Sequence, residues 1–288
     1  MILTIDHIRR IAKRAPNEAN AQSILKSLSL YGERFGLDQP HRLAQFIAQL
    51  MHESAEFRYD REIWGPTPAQ KRYDTRTDLG NTAALDGDGH LYMGRTGIQI
   101  TGKANYQEFR DWCRKMEPGA PDFVAKPDLV NTDPWEGLGP LWYWDTRKLN
   151  RYADAGNVEM ITRRINGGLN GYADRLDYVV RASLVLLGYQ PTAVKMFQGD
   201  YDLTADGVAG PATRAALHRA LVKLGDKDKA APVAVPKGGV IYPVEPAPAP
   251  RPVPVPPVSE PTRHDGKHEA SPGFWSRFWS ALTKRMSP

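Results

Sequence analysis

The chain has 288 residues, 25% of them charged and 41% hydrophobic, which is the balance of a soluble globular protein with one good core and an accessory region. Its net charge of +5 suits an acidic partner such as nucleic acid, an anionic membrane or a wall polymer. No nucleic-acid motif accompanies the charge, so the wall and the membrane gain. Cys113 is the only cysteine, which excludes an intramolecular disulfide.

Along the chain, Ile5, Ile8 and Ile11 are separated by charges. No apolar signal region is present there, and no stretch is long and apolar enough to span a bilayer. Accumulation in the cytoplasm is expected, with release to the periplasm or wall by something else. Residues 4–13 and 19–35 read as helices, the second ending at Gly36.

The next helix begins after Asp38, a capping carboxylate, with Pro40 in its first turn. Leu43, Phe46, Ile47, Leu50 and Met51 recur at helical spacing and make one apolar face. Glu53 continues that stripe, so its carboxyl is expected to be at least partly desolvated, which favours the protonated form. Glu62 follows in what reads as a wetter loop. One raised and one solvated carboxyl is the pairing that glycosidic cleavage needs. Two nearby glutamates are as a rule solvated surface, so the pair alone does not decide.

Asn81 to Met93 reads as two short runs around an Asp-Gly-Asp-Gly turn, which predicts a β-hairpin. The Asp86–Gly89 run lacks the remaining ligand spacing of a calcium loop and reads as a turn. No His/Cys cluster suggests zinc, and His52 reads as structural. No metal and no cofactor are expected. Gly94 to Gly102 and Asn105 follow the hairpin. An acid-bearing helix followed by a small polar lobe is how a lysozyme-type cleft is built.

Lys103 to Met116 is predicted helical, with Cys113 as a core thiol beside Tyr106, Phe109 and Trp112. Residues 118–132 read as loop. A helix starts at Asp133-Pro134, another covers 154–165 with Gly167 as stop, and a long one covers Tyr172–Leu187. Beyond Gly188 a helix ending in Phe197-Gln198 leads to a tight turn, Asp206-Gly207-Val208-Ala209-Gly210-Pro211, with Thr213 as the cap of the next helix. Residues 231–262 are proline-dense, an extended spacer or else a PxxP ligand. In the tail, Trp275, Phe278, Trp279, Leu282 and Met286 share a helical face opposite Arg277 and Lys284. Such a segment either lies in an anionic membrane interface or docks on the protein itself.

His52-Glu53-Ser54, Glu62, Gly94 to Thr101, Asn105-Tyr106, Ile165 to Asn170 and Asp174-Arg175 occur in an order that resembles glycoside hydrolase family 19. The likeness covers about residues 1–190 and is greatest to compact bacterial and phage endolysins acting on peptidoglycan. It implies inversion, with Glu53 as general acid and Glu62 as general base, their carboxyls roughly 6.5–9.5 Å apart. It places Thr101 at the water-holding hydroxyl, Gln99 and Asn105 at N-acetyl sugars, and Asn166 and Arg175 on the far wall. Bracing of loops is an equal reading for Gln99, Asn105 and Asn166. Two departures stand out: Asn170 replaces an acid of plant members, and Thr96 replaces the second glycine of a Gly-Arg-Gly turn.

Residues 193–217 resemble a type 1 peptidoglycan-binding domain through Phe197, Asp206, Gly207, Gly210 and Thr213, the alternative being a generic helical appendage. The expected architecture is mainly α with a small β-hairpin lobe: a lysozyme-like catalytic domain at 1–188, a small helical wall-binding module at 189–230, a linker at 231–262 and a basic amphipathic tail at 263–288. The expected protein is a monomeric endolysin. Chitinase is the rival enzyme, and a non-catalytic wall-binding or membrane-disrupting protein is the rival of another class.

Overall fold

The computed structural model describes residues 3–228. The expected linker at 231–262 and tail at 263–288 lie outside the described residues. In chain order the helices are α1 (Ile5–Ile11), α2 (Glu18–Tyr31), α3 (Pro40–Glu53), α4 (Pro68–Lys71), α5 (Asp88–Leu91), α6 (Lys103–Arg114), α7 (Trp135–Thr146), α8 (Asn150–Asp154), α9 (Val158–Asn166), α10 (Tyr172–Leu186), α11 (Val194–Asp200) and α12 (Pro211–Asp228). A 3-10 turn at Pro127–Asn131 interrupts the expected loop before α7.

The mainly helical expectation holds, but the hairpin does not form. Among the described residues the only β features are two isolated bridges, Arg61 to Arg95 and Arg95 to Ile100. Residues 81–93 instead form a loop and the single turn α5, because side-chain carboxylates take the backbone donors. Asp74 accepts from the amides of Gly87 and Gly89, Asp86 from that of Asp88, and Asp88 from that of Thr82. Local side-chain bonds of this kind displace a strand ladder.

Helix α3 is the axis of the molecule. Its apolar stripe is buried together with Glu53 at its end, and so are His41, Gln45 and Gln49. It packs along α10, with α8 and α12 at its N-terminal half. Pro40 opens it as expected, but Asp38 does not cap it. Gln39 is the N-cap residue and makes no side-chain cap bond, while Asp38 accepts from Gln39 Nε2 at 2.7 Å. Asp38 precedes the cap position by one residue, so its carboxylate turns to its neighbour.

The core is rich in aromatics. Phe46 meets Trp144 edge-on at 5.4 Å, and Phe109 stacks on Phe123 at 5.1 Å. Cys113 is fully buried among them, and burial pushes its thiol up, as suits an inert core thiol. A smaller second cluster joins Val180 and Leu184 of α10 to Tyr189, Phe197, Ala216, Leu217 and Ala220. Leu221 of α12 belongs to the main core.

Candidate active site

The apolar stripe of α3 carries Glu53 inward at the helix end, where it is 1% exposed. Arg175, fully buried on α10, donates from Nη2 to Glu53 Oε1 and from Nη1 to Gln49 Oε1, the latter at 2.5 Å. Glu53 Oε2 has no hydrogen-bond partner. The expectation of a desolvated Glu53 therefore holds for the carboxyl's burial, and the structure adds a cation facing it.

After Ser54 the chain makes an unusual turn. Ala55, Glu56 and Phe57 have φ of 51°, 65° and 61°, a left-handed run that non-glycine residues adopt only when their surroundings impose it. Glu56 supplies that constraint. It is buried and accepts from the Lys13 amide at 2.8 Å, Arg14 Nε at 3.0 Å and the Tyr178 hydroxyl at 2.5 Å. Burial works against its charge, but those three donors hold its carboxyl below the usual range.

The strained turn leads to Glu62, which is not in a wetter loop as expected but 7% exposed. Gln70 Nε2 donates to its Oε1 at 2.9 Å and the Gly94 amide to its Oε2 at 3.2 Å. Burial pushes this carboxyl up, and the two donors offset that only in part. Glu62 and Gly94 are also joined through the backbone, Glu62 N to Gly94 O at 2.8 Å.

Gly94 is the close approach of this wall. A Cβ there would run into Gln99 Oε1 and lie 3.1 Å from Thr101 Oγ1. Glu62, Gln99 and Thr101 thus converge on one backbone position. Arg95, 4% exposed, fixes the loop from behind by donating to the Tyr106 hydroxyl and to Asp128, both at 2.6 Å. Thr96 keeps the turn that glycine would make by adopting φ 66°. Thr101 donates to Gln99 O at 3.1 Å, and Asn105 Nδ2 donates to Thr101 O at 2.7 Å.

On the far side, Asn166 and Asn170 bond each other's carbonyls, at 3.1 and 3.3 Å. Asn170 gives Arg175 no charge support; Glu53 does. His52 Nδ1 pairs with Asp174 Oδ2 at 2.6 Å, and the Lys13 ammonium reaches Asp174 Oδ1 at 2.8 Å. The His52 bond, helped by Lys13, lowers the Asp174 carboxyl to about 2. A folded value below the unfolded one stabilises above the unfolded pKa and is lost as pH falls through the folded one. The melting-temperature gap between the wild type and Asp174→Asn is therefore expected to close as pH falls from about 4 to 2. A gap that stays constant over that window would refute the pairing.

The structure thus joins Glu62, Gln99, Thr101 and Asn105 in one group, and Glu53 with Arg175 in another. The Asn166–Asn170 pair lies between α9 and α10.

A curated Haemophilus influenzae protein described as glycosyl hydrolase family 19 domain-containing is 34% identical over 181 residues, 54% of this chain and 84% of that protein. The chain belongs to glycosyl hydrolase family 19. It is therefore a glycoside hydrolase. Chitinase 6 of Oryza sativa subsp. japonica is 29% identical over 132 residues, 46% of this chain and 45% of that protein. The crystal structure of chitinase C from Streptomyces griseus HUT6037 superposes with a TM-score of 0.52 at 19% identity, over 66% of this chain and 94% of that one. A bacterial family 19 chitinase does so with 0.52 at 21%, over 66% and 97%. These two show a shared fold.

Beyond the family 19 body, residues 192–217 match the peptidoglycan binding domain family. Their geometry centres on Gln198, which the sequence marked only as the end of its helix. It donates to Asp206 Oδ1 at 2.8 Å and to Val208 O and Thr213 Oγ1 at 3.0 Å, and accepts from the Gly207 amide at 2.8 Å. Thr213 is not the helix cap. Helix α12 starts at Pro211, so Thr213 falls in its first turn and turns back to Gln198 and Val208. Phe197 is fully buried against Tyr189 and stacks on Tyr201 at 4.2 Å. Phe197, Asp206, Gly207 and Thr213 build the turn, and Gly210 lets the chain enter α12.

Gln49, Glu56, Gln70 and Arg95 were passed over in this family 19 site. Only Gln49 left a trace in sequence, lying one turn before Glu53 on α3. Glu56 acts through Tyr178 and Arg95 through Asp128, far along the chain, and Gln70 through Glu62, eight residues before it.

Proposed function

We propose that the chain is an endolysin that hydrolyses β-1,4 glycosidic bonds of bacterial peptidoglycan with inversion, in the service of host-cell lysis. Glu53 protonates the leaving oxygen and Glu62 activates the water. Thr101 helps hold that water, Gln99 and Asn105 contact N-acetyl sugars, and Asn166 with Arg175 closes the far wall. Residues 1–188 do the chemistry and 189–230 hold the wall. The observation that carries this reading is the double duty of α10. The helix that brings Arg175 to Glu53 also supplies Val180 and Leu184 to the segment matched as a peptidoglycan binding domain.

A general base works best with a pKa near the working pH, so a raised Glu62 suits the role. Protonation of Glu62 removes the base. The acid limb of kcat/KM is therefore expected above the ordinary glutamate range of about 4.3, because burial raises this carboxyl. An acid limb at or below that range would count against Glu62. Thr101→Ala is expected to cost less than loss of either carboxyl, since Gln99 and the Gly94 backbone still frame the water. A silent Thr101→Ala in sacculus digestion would end the water-holding assignment.

The second reading is a chitinase, favoured by the names of the rice and Streptomyces relatives. Both substrates carry β-1,4-linked N-acetylglucosamine. Digestion of purified sacculi and of chitin, with mass spectrometry of the new reducing ends, decides between them. Proton NMR of the first-formed anomer decides inversion. Products from chitin alone would replace the endolysin reading.

A further inference from the structure

Between α3, α9, α10 and α12 lies a cavity of about 450 Å³ that none of the proposed catalytic residues lines. Small-ligand sites run to about 300–1,000 Å³. Two residues of its α3 wall are buried and have incompletely bonded side chains. Gln45 is 3% exposed and its Oε1 has no partner. His41 is 8% exposed; its Nε2 meets Asp154 Oδ1 at 3.0 Å and its Nδ1 has no partner. Buried polar atoms are normally hydrogen-bonded, so two orphans on one cavity wall point to a ligand that bonds them.

The opposite side is electropositive. The first turn of α12, through Pro211 and Arg214, and that of α9, through Asn157 and Val158, both line the cavity. Helix N-termini carry partial positive charge, although at α9 the Val158 and Met160 amides are already taken by Gly156 O and the Asn157 side chain. Arg214 and Arg219 line it as well, and neither has an ion-pair partner among the described residues. The one acid of the lining, Glu159, is engaged with Arg163 at 2.9 Å. Between these walls the surface is apolar, with Ala44, Ala155 and Val180 beside the larger Leu176, Leu217 and Leu221.

We propose that this cavity is a subsite for the peptide stems of peptidoglycan, a proposal that rests on the endolysin reading above. A short peptide with methyl-sized side chains fits the apolar strip. Its carboxylate meets Arg214, Arg219 and the N-terminal end of α12, and an amide N–H donates to Gln45 Oε1. An uncharged N-acetyl glycan offers nothing to the cationic side. The chain then holds its substrate by the peptide at one place and cuts the glycan at another.

The test titrates the full chain, by calorimetry and heteronuclear NMR, with N-acetyl-D-Ala-D-Ala, with its C-terminal amide, and with an N-acetylglucosamine trisaccharide. The acid form is expected to bind and to shift resonances of Ala44, Ala155 and Arg219. Capping the carboxylate, or Arg219→Ala on the exposed rim, is expected to weaken it about tenfold, the scale of a lost charge-assisted bond. Gln45→Leu is expected to weaken acid and amide alike. Should that buried change prevent folding, the capped ligand and Arg219→Ala decide the matter. Equal binding of acid and amide, or binding indifferent to Arg219→Ala, overturns the assignment. Cleavage of sacculi without saturable dipeptide binding also overturns it and leaves the endolysin reading intact. Cleavage of chitin without cleavage of sacculi overturns the endolysin reading, and this one with it.

Discussion

A Glu53→Gln protein is expected to lose glycosidase activity by about 10²–10⁴-fold, the usual contribution of a general acid. It is also expected to melt well below the wild type. Glu53 and Arg175 are 1% and 0% exposed and face each other as a buried pair. Glutamine keeps the shape but leaves the guanidinium with Gln49 and no counter-charge. Breaking a buried pair from one side costs about 3–5 kcal/mol. Replacing Arg175 by Met in the same protein removes the orphan charge, so the double variant is expected to regain stability and stay inactive. Glu62→Gln is expected to lose activity on the same scale while melting close to the wild type. Its partners are the neutral Gln70 amide and Gly94 N–H, and burial already disfavours its charge. Soluble-glycan hydrolysis and thermal melting of the four proteins separate chemistry from stability. A folded Glu53→Gln protein with near-normal hydrolysis would end the acid assignment; one with an unchanged melting temperature would end the ion-pair argument.

The contrast between the two glutamates shows where sequence reading reached and where it stopped. Glu53 was legible because the period of Leu43, Phe46, Ile47, Leu50 and Met51 fixes a helical face, and Glu53 lies on it. The burial of Glu62 was not legible. It is made by Gln70 and by Gly94, the latter thirty-two residues away and brought close only when Arg95 is locked by Tyr106 and Asp128. Glu56 left no periodic signal, because Ala55 to Phe57 are left-handed and its partners come from the residues just after α1 and from α10. The hairpin expectation failed for a local reason. The two short runs at 81–93 were outweighed by Asp86 and Asp88 within the loop and Asp74 ahead of it, which bond the loop's backbone. Helix stops at Gly36 and Gly167 were readable, since both glycines take positive φ there.

The boundary at Gly188 was drawn where composition changes, and packing gives it a different meaning. Helix α10 is apolar on more than one side: Val179 and Val185 belong to the main core, whereas Val180 and Leu184 belong to the cluster shared with Phe197 and Leu217. Removing residues 189–288 therefore uncovers Val180 and Leu184 and strips α12 from α3. Exposing a buried Val or Leu costs about 1.5–3 kcal/mol each. In a body of this size that lowers the melting temperature on the order of 10 °C. A chain ending at Asp228 keeps both clusters and is expected to melt like the full protein. The 1–188 protein, assayed well below its melting point, is expected to cleave a soluble glycan but to fail in sacculus pull-down. Each of Val180→Ala and Leu184→Ala is expected to reproduce part of the thermal loss in the full chain. If the 1–188 protein melts at the full-length temperature, the α10–α12 contact adds nothing to stability, and the wall-binding segment is an independent unit resting on the enzyme.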